Sequence, residues 1–126
     1  MSSDHEDIEK VHAEFYAAFE AADLDRMSSI WVDDPHEVVC VHPGWPLLRG
    51  RAEVLRSWAL IMANTPYIQF ILTDTQTQII GDQAVVTCSE NIITADEETS
   101  DGFAAGGSVV STEAFVRTGG GWRLWL

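Results

Sequence analysis

Apolar side chains recur every three or four residues in the first half of the chain and every second residue in the second half. Ile8, Val11, Phe15, Phe19 and Ala22 share one face of a helix. Ser3 or Asp4 can cap its start, and Asp7 and Glu9 suit its positive end. A second helix is predicted from Asp23 or Asp25, with Leu24, Met27, Ile30 and Trp31 turned inward. Asp33-Asp34-Pro35 stops it, because the residue before a proline is pushed out of helical geometry. Val38 to Val41 is short and β-branched and reads as a strand that Pro43 and Pro46 end. Gly50 makes a turn. Val54, Leu55, Trp58, Ile61 and Met62 then mark a third helix over residues 53–63, with Pro66 beyond its end.

From Tyr67 the period changes to two. Residues 67–80 and 83–95 read as strands joined by a tight Gly81-Asp82 turn. Residues 96–107 read as a polar loop, 108–117 as a strand, Gly119-Gly120-Gly121 as a turn and 122–126 as a last strand. Three helices followed by an antiparallel meander predict an α+β fold with the helices packed on one face of a curved sheet. No repeat or linker divides the chain, so residues 1–126 form one domain.

Composition narrows the function. A chain of 126 residues can bury a core without disulfide or metal staples. Its formal charge of −13, from 20 acids against 7 bases, repels nucleic acid and anionic lipid. The acids cluster at helix starts and loop tips, and the acidic run over residues 95–102 lacks the alternating spacing of a calcium loop. No apolar stretch reaches the roughly 18–20 residues of a membrane span, and the polar, acidic start is not a secretory signal. A cytoplasmic protein is expected. Cys40 and Cys88 lie in apolar runs and read as small buried hydrophobes. His5 and His12 read as part of an exposed helix start and His36 as part of an acidic turn. No metal site and no cofactor are therefore expected.

Three residues carry candidate chemistry. His42 follows an apolar strand directly and opens His42-Pro43-Gly44-Trp45. A neutral imidazole there can take a proton near pH 7. Tyr16 on the first helix is a candidate hydrogen-bond donor. Glu90 shares a strand face with Val86, Cys88 and Ile92, where desolvation would raise a carboxyl pKa. Glu113 poses the same question on a later strand. Phe15, Trp31, Trp45 and Trp58 come from separate elements and are expected to wall a pocket for an apolar molecule. Ile68, Phe70, Leu72, Val109 and Val110 put apolar residues on both sheet faces, which predicts a homodimer through the sheet.

Several short motifs, in order, resemble the NTF2-like superfamily and its SnoaL-like branch: FYAAFEAADLD at 15–25, IWVDD at 30–34, VHPG at 41–44, LRG at 48–50, Trp58, and GWRLWL at 121–126. The resemblance covers nearly the whole chain. It implies a cone-shaped, cystatin-like fold in which helices close a strongly bent sheet around a pocket, often within a dimer. Members include isomerases, cyclases, dehydratases, small-molecule binders and association domains, so the fold does not settle activity. EVVCVHPG resembles the ketosteroid isomerase segment in which an aspartate is the general base; His42 stands in its place. Phe15 falls where those enzymes carry a tyrosine, and Tyr16 lies one residue on, a rotation of about 100° along a helix. The resemblance implies a small-molecule-binding protein. Its activity is either that of a cofactor-free isomerase, cyclase or dehydratase acting on an apolar carbonyl compound, or that of a non-catalytic binding or association module.

Overall fold

A computed structural model describes residues 3–33, 38–95 and 103–126, and for residues 95 and 103–106 only the backbone. The elements run α1 (Asp4–Glu20), α2 (Leu24–Ile30), β1 (Val39–Cys40), β2 (Leu48–Arg49), α3 (Arg51–Ala63), β3 (Ile68–Ile80), β4 (Gln83–Ala95), β5 (Phe103–Thr118) and β6 (Gly121–Leu124). Ser3 caps α1 by accepting a hydrogen bond from the Glu6 amide at 3.1 Å, and Asp23 caps α2 through the Arg26 amide at 3.1 Å.

Strands β3-β4-β5-β6 form one antiparallel meander, and β1 pairs with β2 in a separate two-stranded ribbon. Two irregularities bend the large sheet. One lies in β3 between Thr73 and Gln76, where Asp74 takes a φ of 54°. The other lies between Ile92 and Ile93, which pair with Gly107 and Ala105 so that β5 carries one extra residue; Gly107 there takes a φ of 99°. An extra residue in one strand of a pair sharpens its twist and bends it. Helices α1 to α3 cover the concave face. Ile8, Met27, Val54, Val86, Phe115 and Leu124 are fully buried between the layers.

The α+β class, the three helices and the curved antiparallel sheet agree with the sequence reading; several details do not. The first helix ends at Glu20, before Ala22, which takes a φ of 53°. Trp31 lies just past α2, in a bridge with Leu124. The third helix starts at Arg51 because Gly50, at a φ of 94°, makes the turn and accepts the Val54 amide. The Leu48–Arg49 strand was not foreseen; it exists because Val39 and Cys40 need a backbone partner. Strand β5 begins at Phe103, five residues before the expected Ser108, pairing Ala95, Thr94 and Ile93 as the hairpin extends. The expected stop at Asp34-Pro35, His36 and the acidic run over 96–102 lie outside the described residues.

Apolar residues lie on both faces of the sheet. Phe70 and Leu72 pair with Ile92 and Glu90, and Val109 pairs with Glu90, so these apolar residues share the concave face. The convex face carries Ile71, Val85 and Val110, all exposed.

Candidate functional site

The helices and the bent sheet enclose a cavity of about 710 Å³. Phe15, Tyr16, Trp31, His42, Trp45, Trp58 and Glu90 all line it, so every residue singled out from the sequence meets at one place. No lysine or arginine is among the lining residues.

His42 enters through a tight turn. Its carbonyl accepts the Trp45 amide at 2.9 Å, with Pro43 and Gly44 between and Gly44 at a φ of 81°. Proline then glycine at the two central positions is the signature of a type II turn. The turn folds Trp45 back against the imidazole, ring centroids 5.1 Å apart, and Trp58 meets the same ring edge-on at 4.8 Å. His42 is 7 % exposed, and its Nε2 lies 2.9 Å from Ser57 Oγ on α3. Burial pushes its pKa below the ordinary 6.5, so the ring is neutral at pH 7.

Tyr16 points inward beside Phe15. Its hydroxyl donates to Glu90 Oε2 at 2.5 Å and lies 3.4 Å from Ser111 Oγ. The contact to Glu90 is at the short end for an O–H···O hydrogen bond. Burial, then the charge of Glu113, then the bond to Glu90 push the Tyr16 pKa up. Tyr16 therefore keeps its proton and acts as a hydrogen-bond donor rather than an acid. A ligand must compete with Glu90 for it. Neither Arg117 nor Arg123 reaches Glu90: Arg117 pairs with Asp4 and Asp82, and Arg123 donates to the Trp122 carbonyl.

Two further groups join this end. Glu113 is 5 % exposed and lines the cavity. His12, expected on an exposed helix start, is instead 4 % exposed, with Nε2 2.7 Å from Glu113 Oε2. The contact lacks regular hydrogen-bond geometry, and neither Glu113 oxygen has another partner among the described residues. Ile8, His12 and Tyr16 are spaced by four, so they share a helix face. That spacing could have identified His12 from the sequence. Ser57 was missed because nothing local to α3 shows that His42 lies across from it.

Burial raises the Glu113 pKa above its ordinary 4.5, with the His12 contact opposing it. A carboxyl whose folded pKa is raised contributes most below its unfolded value, and that contribution is lost as pH rises through the folded value. Glu113→Gln is therefore expected to gain on the wild type in urea-unfolding free energy as pH rises above 4.5. A difference independent of pH would contradict the raised value.

Both cysteines are free and buried. Cys40 Sγ lies 3.6 Å from His42 Nε2, and burial pushes its thiol up to about 12, so it stays protonated and unreactive. No group of three or more His, Cys, Asp and Glu suited to a metal occurs among the described residues. No helix among them is long and apolar enough to cross a membrane.

Residues 8–126 match the model of the SnoaL-like domain. No curated protein matches the chain. Among solved structures, the chain is similar to a "putative dehydratase" of the NTF2-like family from Streptomyces avermitilis. Identity is 47%, covering 97% of this chain and 91% of that one, with a TM-score of 0.84. It is also similar to a "putative calcium/calmodulin-dependent protein kinase type II association domain" from Thiobacillus denitrificans. There identity is 30%, covering 94% and 89%, with a TM-score of 0.81. An NTF2-like protein with a cystatin-like fold from Novosphingobium aromaticivorans shares the fold at 24% identity, covering 97% and 77%, with a TM-score of 0.73.

Proposed function

The chain belongs to the SnoaL-like domain family of NTF2-like proteins, and on that ground we propose that its cavity binds an apolar carbonyl compound and catalyses cofactor-free proton transfer on it. The observation that carries this reading is His42: a neutral imidazole, nearly buried, in the wall of an aromatic cavity. Chemistry of the dehydratase type is favoured by the relative at 47% identity.

One base suffices for that reaction. His42 takes the proton from the carbon beside the carbonyl, and the C–H electron pair forms the C=C bond. The C–O bond at the next carbon breaks, and the departing hydroxide takes the proton back from the imidazolium to leave as water. Tyr16 turns its hydrogen bond to the developing enolate oxygen and donates to Glu90 again when the product leaves. Returning the proton to a different carbon gives an isomerase instead. With carboxylates and no lysine or arginine in the wall, the cavity favours neutral substrates over anions.

The test is solvent-deuterium exchange at the α-carbon of neutral aryl ketones, with loss of water from matching β-hydroxy ketones followed by enone absorbance. Exchange confined to the neutral compounds supports the reading. No exchange and no water loss anywhere in the series rejects it in favour of a non-catalytic binding module.

The convex face supports a homodimer. Ile71, Val85 and Val110 are 52 %, 40 % and 76 % exposed on one sheet surface, where a second copy could cover them. The similarity to an association domain points the same way. Sedimentation is expected to give a dimer for the wild type and a monomer for Ile71→Lys/Val110→Lys. A wild-type monomer at tens of micromolar would refute the interface.

A further inference from the structure

We propose that Ser57 is a positioning residue that holds the His42 proton on Nε2 and leaves the lone pair on Nδ1 for the cavity. The proposal rests on the reading of His42 as the base, and it names the nitrogen that acts.

The argument is a count of protons. Ser57 Oγ lies 2.6 Å from the Val54 carbonyl oxygen and 2.9 Å from His42 Nε2. A carbonyl oxygen brings no proton, so the single hydroxyl proton of Ser57 fills the shorter contact. The contact to the imidazole must then be filled from the other side, by an Nε2–H donating to Oγ. With the ring neutral, Nδ1 carries the lone pair. The other near neighbour of the ring nitrogens is Cys40 Sγ, 3.9 Å from Nδ1 and 3.6 Å from Nε2, a weak partner to either that stays protonated. Ser57 is 5 % exposed, and the carbonyl it uses belongs to its own helix three residues earlier, so the hydroxyl has little freedom to turn round.

The arrangement divides labour between two elements. Helix α3 supplies the clamp, and the β1 end supplies the ring. The Trp45 and Trp58 edges restrict the ring's tilt. Nε2 is thus turned to the helix, and Nδ1 is the nitrogen left to meet a ligand.

Long-range ¹H–¹⁵N correlation spectra at pH 7 test this directly, with His42 assigned by its loss in His42→Gln. The wild type is expected to show a neutral ring with the proton on Nε2. Ser57→Ala is expected to cut the ratio of the two tautomers by about fivefold, the equilibrium equivalent of one ordinary hydrogen bond, and Ser57→Thr to keep it. A wild-type ring protonated mainly on Nδ1, or a ratio unmoved in Ser57→Ala, would overturn the proposal. The wild-type spectrum decides even if a variant fails to fold. An Nε2–H ring in a protein that exchanges no ketone proton would defeat the catalytic reading and leave this one standing.

Discussion

His42→Gln slows α-proton exchange on a neutral aryl ketone by about 10²–10⁴-fold, the usual worth of a positioned general base. Affinity for the ketone stays nearly unchanged. Glutamine can still offer an N–H to Ser57 Oγ and fill the ring's space against Trp45 and Trp58. It has no basic lone pair. Binding and chemistry therefore separate in this variant, which an alanine would not guarantee. Mass spectrometry of the ketone in deuterated buffer, with tryptophan fluorescence for binding, measures both. Exchange that survives the substitution removes His42 from the mechanism.

Phe115→Ala lowers the free energy of unfolding by about 3–5 kcal/mol, the range for deleting a buried aromatic ring. Phe115 is 0 % exposed and pairs with Leu124 across β5 and β6. Its ring also lies edge-on to His12, centroids 6.5 Å apart. The cost is a large share of the roughly 5–15 kcal/mol that holds a domain together. Urea titration by far-ultraviolet circular dichroism measures it. A loss under about 1 kcal/mol would mean that the concave face is not the core described. The ring packs on the same strand face as Glu113 and Ser111, so its removal is also expected to loosen the carboxylate end of the cavity.

The fold was legible because its signals are local. Spacing along Ile8, Phe15 and Phe19 gave the first helix, and the change to a period of two at Tyr67 gave the sheet. Gly81-Asp82 and the three glycines at 119–121 gave its turns. Boundaries moved where a glycine or a pairing partner, rather than periodicity, decided them, as at Gly50 and Phe103. The cavity residues were legible through their unusual settings. His42 sits beside a proline–glycine turn, Glu90 in an apolar strand, and Trp45 between a glycine and a proline.

Connections among those residues were not legible, because they join distant parts of the chain. Tyr16 and Glu90 are 74 positions apart, and His12 and Cys88 are 76 apart. Phe15, Tyr16 and Phe19 of α1 all line the cavity, so one step of helical rotation does not carry a side chain out of it. His12 lies near the polar start of α1, yet its spacing of four from Ile8 and Tyr16 places it on the buried face. On the sheet, alternation shows apolar residues on both faces but not which face is concave; pairing with Ile92 and Glu90 puts Phe70, Leu72 and Val109 there and leaves Val110 on the other side.

A crystal structure grown with an aryl ketone that undergoes exchange is the most direct measurement. The account predicts the ketone inside the aromatic cavity, its α-carbon about 3–3.5 Å from His42 Nδ1, the separation of a reactive contact. A ketone bound elsewhere, or an imidazole turned away from it, would contradict the account.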